Sequence, residues 1–175
     1  MPFGVIPAEE RDDEVGALAR LYRNHPAWIE AAGYISEEGA SSDVYFSAHP
    51  NEAWHLEHRG GRGVLLPGHS GDPDFVFRFT PEAVARLGRA EESIGGFAVA
   101  LFEGMTASDP ALRIDFRLVA GFRRLLQRGY VWLLLAGGSR VLAVAARRGL
   151  HSVSDLQKLV EGARRSEPEK WELRD

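Results

Sequence analysis

The chain has 175 residues, 45% apolar and 26% charged, the profile of one globular domain long enough to bury its own core. It has no cysteine, which excludes disulfides, a thiolate nucleophile and Cys-ligated zinc or iron–sulfur sites, and fits a reducing cytoplasm. The net charge of −4 conceals a partition: residues 1–110 carry 8 Lys and Arg against 18 Asp and Glu, whereas residues 111–165 carry 11 against 3. Such a split implies either an anionic partner or an internal match between the two halves, the latter being the simpler. The start, "MPFGVIPAEERDDE", lacks the basic and long apolar regions of a secretory signal. The longest apolar stretch, "GYVWLLLAGG", falls short of the ~20 residues a span requires. A soluble cytoplasmic protein is the expectation.

In chain order, "DDEVGALARLYRNH" places Val15, Leu18, Leu21 and Tyr22 on one helical face behind an acidic first turn that suits the helix dipole. Pro26 interrupts this pattern and starts a second short helix, "PAWIEAAGY", from its first position. After the loop "SEEGASSD", the runs "DVYFSA" and "AWHLEH" read as strands separated by a turn at "HPNE", and "GGRG" as a hairpin turn before "VLL". In "DFVFRFT", Phe75, Phe77 and Phe79 face one way and Val76 and Arg78 the other. "ALRIDFRL" repeats the alternation, opposing Leu112, Ile114, Phe116 and Leu118 to Arg113, Asp115 and Arg117. Period two with a charged face predicts strands packed on one side only, typical of antiparallel sheets.

Between these strands Thr80 caps the helix "TPEAVARLGRA", with Pro81 in its first turn, and a second helix, "GGFAVALFEGM", follows. From Val119 the chain turns helical, and "VAGFRRLLQRGY" carries Val119, Phe122, Leu125 and Leu126 on one face. "YVWLLLAGGSRVLAVAARRG" reads as two helical segments broken at Gly137-Gly138, with Ser139 as an N-cap; a hairpin through Gly-Gly is the alternative. "SVSDLQKLVEGARR" is a terminal helix with Val153, Leu156, Leu159 and Val160 on one face, and the tail 166–175 is expected to be loose.

Several stretches invite a chemical reading. "VLLPGHSGD" carries Gly68-His69-Ser70-Gly71, close to a hydrolase nucleophile elbow, but the second glycine is one residue early and a strand follows where a helix is required. In "HLEH", His55 and Glu57 share one strand face while His58 points to the other, so the imidazoles diverge and a third metal ligand is missing. "AGGSR" lacks the spacing and lysine of a phosphate loop. Arg123, Arg124, Arg128 and Arg140 form a cationic stretch without a nucleic-acid motif or interleaved aromatics, so nucleic acid is not expected. An anionic lipid headgroup or transient contact with an anionic membrane surface suits them better, with a solvated arginine face or pairing to the acidic half as the plain reading.

The apolar inventory is the strongest feature. Phe75, Phe77 and Phe79 would oppose a helix carrying Phe97, Leu101 and Met105 at i, i+4 and i+8, with Ile114 and Phe116 in the same layer. Such a wall is ordinary core unless helices leave space over the sheet, in which case it becomes a ligand pocket. The order of strands, the passage "PDFVFRFTPEAVARL", the helix "FAVALFEGM" and the strand "LRIDFRL" resemble the sterol carrier protein 2 family of small lipid-binding domains, over residues 43–118. The chain departs from that pattern at "TASDPA", at Asp115-Phe116-Arg117 and in its longer helical part, 119–165.

The resemblance implies an α/β (α+β) fold with helices on one face of a mostly antiparallel five-stranded sheet, here expected as one domain over residues 1–165 to which the chain adds extra C-terminal helices. It also implies a non-enzymatic role without cofactor or metal. An apolar tunnel lined by Phe75, Phe77, Phe79, Val84, Leu87, Phe97, Leu101, Met105, Ile114 and Phe116 would bind or transfer a lipid or other hydrophobic small molecule. The alternative is an interaction or dimerisation module with a closed core, for which an exposed apolar patch containing Trp28, Tyr130 or Trp132 would speak. An acyl hydrolase using Ser70 ranks third.

Overall fold

A computed structural model describes residues 6–36, 39–147 and 149–164. In chain order the elements are α1 (Glu14–Asn24), α2 (Pro26–Ala32), β1 (Ser41–Phe46), β2 (His49–Arg59), β3 (Arg62–Pro67), β4 (Phe75–Phe79), α3 (Pro81–Leu87), α4 (Ile94–Met105), β5 (Asp115–Leu118), α5 (Phe122–Gln127), α6 (Tyr130–Ala136), α7 (Gly138–Arg147) and α8 (Val153–Arg164). The helix starts are set by local chemistry. Asp13 accepts the amides of Val15 and Gly16 at 3.1 and 3.2 Å, Thr80 that of Ala83 at 3.1 Å and Ser93 that of Gly96 at 3.0 Å. Pro26 and Pro81 occupy first helical positions, where the missing N–H is not needed.

The fold is α+β. Its five-stranded sheet runs β3-β2-β1-β4-β5, with every pairing antiparallel except β1 with β4. On the helix-covered face, Val44, Phe46, Trp54, Leu56, Leu65 and Phe79 pack against Val15, Leu18, Tyr22, Val84, Leu87 and Phe97. The sheet and these helices thus form two layers around one core. The Gly60–Gly61 turn joins β2 to β3 with both residues at positive φ, the conformation a two-residue hairpin demands.

The parallel pairing of β1 and β4 dictates the path between β3 and β4. From the β3 edge the chain must cross β2 and β1, and residues 68–74 do so over the face opposite the helices. Gly68 carbonyl meets His55 Nδ1 of β2 at 2.8 Å, the Ser70 amide donates to Asp43 of β1 at 2.9 Å, and the Asp74 amide donates to Ser41 carbonyl at 2.8 Å. The stretch that spells Gly-His-Ser-Gly is therefore a crossover strap leading into β4, as its context requires.

Three local expectations change. "HPNE" is not the turn but the start of β2, the turn being Ser47-Ala48; beyond Trp54 this part of β2 has no β3 partner, so Pro50 costs little there. The strand in "ALRIDFRL" begins only at Asp115, because the Ile114 amide is taken by Gly104 carbonyl at the end of α4, at 3.0 Å. Ser139 lies inside the first turn of α7 rather than capping it. The break at Gly137-Gly138 separates two helices, α6 and α7, and no hairpin forms. The side chains proposed for the apolar face of α8 and the tail 166–175 lie outside the described residues.

Candidate ligand-binding site

Alternation in β4 and β5 puts Phe75, Phe77, Phe79, Phe116 and Leu118 on the helix side, in register: Phe75 opposite Leu118 and Phe77 opposite Phe116. The rings form a continuous ladder. Centroids lie 5.8 Å apart for Phe77 and Phe79, 5.6 Å for Phe77 and Phe116, and 5.9 Å for both Phe75 with Phe77 and Phe75 with Phe116. Burial along the ladder is uneven. Phe79 is fully enclosed with Val84, Leu87, Phe97 and Ile114 in the main core. Phe75, Phe77 and Phe116 are only half-buried although they face the helical layer, and so are Leu101 and Met105 on α4. The ten residues named from sequence thus divide into a sealed half and an incompletely covered half.

Gly104 fixes how closely α4 lies on the sheet. A Cβ there would stand 2.5 Å from Cδ1 of Ile114, so any side chain would have to displace the end of Ile114. At the other end of the ladder, Tyr130 from α6 meets Phe75 edge-on at 4.9 Å, and Phe122 and Leu125 from α5 pack with Phe116 and Leu118. Helices α4, α5 and α6 therefore frame the half-buried aromatic wall.

What holds α5 and α6 in place is Asp74, which is 0% exposed at the entry to β4. Its carboxylate accepts from Arg124 Nε at 2.7 Å, from Arg128 Nη1 and from the Tyr130 hydroxyl at 3.0 Å. Its carbonyl accepts the amides of Val119 and Ala120 at 2.9 and 3.0 Å. A buried carboxylate requires such complete pairing. Burial, foremost, and then the Asp74 charge push the Tyr130 phenol well above its ordinary range. Burial works against the Arg124 guanidinium, but Asp72 and Asp74 outweigh it and raise its pKa.

The four arginines named from sequence divide as well. Arg124 and Arg128 bind Asp72 and Asp74, Arg140 binds Glu91, and Arg123 is exposed. Much of the basic segment is thus matched internally to the acidic half. Sequence reading passed over Asp74 as loop chemistry; arginines four residues apart on one helix face were the signal that a single carboxylate sits between them.

The opposite face carries a second polar group that the sequence did not single out. Asp43 and Tyr45, both buried on β1, meet His69 Nδ1 at 3.3 and 3.2 Å, and the His69 ring lies 5.9 Å from that of Tyr45. The Ser70 hydroxyl is buried and makes no hydrogen bond, while its amide is tied to Asp43. His55 and Glu57 pair at 3.1 Å on this face, and His58 lies on the other, 6.0 Å from Trp28, so the two imidazoles diverge. The Glu57 carboxyl is raised by burial, but Arg59 and His55 outweigh this and hold it below its ordinary range. The strap is fastened by polar groups; it does not present Ser70 on a strand-to-helix turn.

The fold is that of an α+β domain whose aromatic wall is incompletely covered by the helical layer. No protein-family model and no curated protein matches the chain. Among solved structures it is similar to one described as "UbiJ-SCP2 Ubiquinone synthesis protein", at 17% identity and a TM-score of 0.39, over 69% of this chain and 85% of that one.

Proposed function

We propose that the protein binds a lipid or other hydrophobic small molecule against the aromatic wall between β4, β5 and α4, without catalysing a reaction on it. One observation carries this reading: Phe75, Phe77 and Phe116 on the sheet and Leu101 and Met105 on α4 remain half-buried, whereas Phe79 beside them is sealed. An acyl chain laid there removes apolar surface from water at roughly 25 cal/mol per Å². Flexible Met105 and stacked rings adapt to such a chain without fixed polar contacts. The five sealed residues of the expected lining then serve as the floor on which the wall is built. The sterol carrier protein 2-like order of elements supports the same assignment.

The test is mass spectrometry of organic extracts of the purified protein, together with melting curves in the presence of acyl chains. Recovery of a lipid is expected, with a rise of roughly 5–10 °C at ligand concentrations about a hundredfold above Kd. Leu101→Trp, which fills the wall from α4, should remove the uptake and leave the chain folded. Repeated recovery of no lipid, with no melting shift, overturns the proposal.

A further inference from the structure

Helix α6 has the sequence YVWLLLA, and none of its seven residues is fully buried. Its inner side delivers Tyr130 to Phe75 and Asp74, as described above. Two residues on, at about 200° around the helix, Trp132 is 59% exposed, and Leu135 follows at 49%. The helices packed against α6 continue the pattern, Leu126 of α5 being 40% and Leu142 of α7 46% exposed. Single exposed leucines are unremarkable, but four large apolar side chains on three consecutive helices, α6 packing on each of the other two, mark a surface that meets something apolar. No single described helix is long and apolar enough to cross a membrane; α6 and α7 reach that length and composition only together, and they are bent by 106° at the break between them.

Charge identifies the occupant. From residue 116 to residue 154 the sequence contains no Asp or Glu and seven arginines. Arg124, Arg128 and Arg140 are neutralised by Asp72, Asp74 and Glu91, while Arg123 on α5 and Arg147 on α7 are exposed and pair with no described residue. An apolar patch on helices that carry arginines and, among the described residues of α5–α7, no carboxylate disfavours a second copy of itself across a two-fold axis. It is attracted to an anionic lipid surface, where Trp settles at headgroup depth and Leu reaches the acyl boundary.

We infer that α5–α7 dock the protein on an anionic bilayer through Leu126, Trp132, Leu135 and Leu142, with Arg123 and Arg147 contacting headgroups. The contact thereby passes from the arginines committed to Asp74 and Glu91 to the uncommitted ones and the apolar residues beside them. This goes beyond ligand binding at the aromatic wall and does not require it.

The test is flotation of the full chain with phosphatidylcholine vesicles, either pure or with roughly one third phosphatidylglycerol. Wild-type protein should float with the anionic vesicles, be released by high salt and bind the neutral ones weakly. The double variant Trp132→Ser/Leu135→Ser should lose about tenfold or more in partitioning while keeping its melting temperature, since neither side chain is in the core. Arg123→Glu/Arg147→Glu should abolish only the preference for anionic vesicles. Wild-type protein that does not float, or a Trp132→Ser/Leu135→Ser variant that floats equally well, overturns the inference. So does a wild-type dimer in sedimentation velocity that this variant splits, because the surface then belongs to a second copy. Leu101→Trp should float like wild type, so the lipid-extraction result and the flotation result succeed or fail separately.

Discussion

Helices α1 and α3 meet the sheet through side chains with almost no remaining exposure, Val15 and Leu18 at 0% and Leu87 at 1%. Helices α5 to α7 meet the same fold through Leu125, Val141 and Ala145 alone among fully buried side chains, and leave Trp132, Leu135 and Leu142 exposed. Where the apolar contact is thin, a buried carboxylate with two arginines and a tyrosine supplies the attachment. The first kind of attachment is non-directional and lost only with the whole core. For α5 and α6 the second is concentrated in one group, with α7 packed against α6 and α4, so this part of the fold can loosen ahead of the core; it frames the aromatic wall on its inner side and offers an apolar surface on its outer side.

The largest expected effect comes from breaking that single group. Asp74→Ala removes the acceptor shared by Arg124, Arg128 and Tyr130, leaving the arginines only the exposed Asp72, and should cost about 3–5 kcal/mol. Its signature should be regional: by hydrogen exchange, the amides of α5–α7 should lose protection well before those of α1. Equal loss of protection in α1 and α6 would sink the comparison. Leu18→Ala, a cavity in the sealed layer, should cost about 2–5 kcal/mol and lower protection everywhere together. The two variants can thus match in total energy and differ in which amides report it.

Tyr130 sharpens the same contrast on a smaller scale. Its phenol is raised above its ordinary value, so the folded state holds the proton more tightly than the unfolded chain does. The resulting stabilisation is whole below pH about 10 and is lost as pH rises above it. Tyr130→Phe should cost about 1.5 kcal/mol near neutrality, as the hydrogen bond to a charged acceptor goes. It should also flatten the alkaline fall in melting temperature, leaving the share due to Tyr22, which burial alone raises. An alkaline slope unchanged by Tyr130→Phe would remove Tyr130 from the anchor.

The elements themselves were legible wherever one residue pattern decided them. The i, i+3, i+4 spacing of α1, Pro26 and Pro81 at helix starts, the Gly60–Gly61 turn and the alternation of β4 are local rules obeyed locally. The parallel pairing of β1 with β4 was not, because its crossover is a strap of loop residues held by Asp43 rather than a helix with its own periodicity. The ten wall residues were readable as one apolar face, since period two assigns faces. It does not say how well the facing layer covers them, and that coverage separates Phe79 from Phe75, Phe77 and Phe116. Asp74 was unreadable for a related reason. By its neighbours it is a turn residue, and its burial is created by Arg124, 50 positions away, and Arg128, 54 away.

Arg140 isolates burial as the variable that matters. It pairs with Glu91 by two hydrogen bonds, from Nη1 and from Nη2, the second at 3.2 Å, much as Arg124 and Arg128 grip Asp74. The Arg140 partnership lowers the Glu91 carboxyl, the hydrogen bond acting first and the charge second, so the contact is electrostatically sound. Both side chains are nonetheless more than half exposed, where water and salt screen the pair and holding two long side chains offsets what remains. Arg140→Ala should therefore leave the melting temperature and the protection of α7 within error of wild type. Arg128→Ala, which removes one partner of the enclosed Asp74, should lower both. If the two variants behave alike, the attachment of α5–α7 does not depend on burial of the charge, and Asp74 is no more than another surface carboxylate in effect.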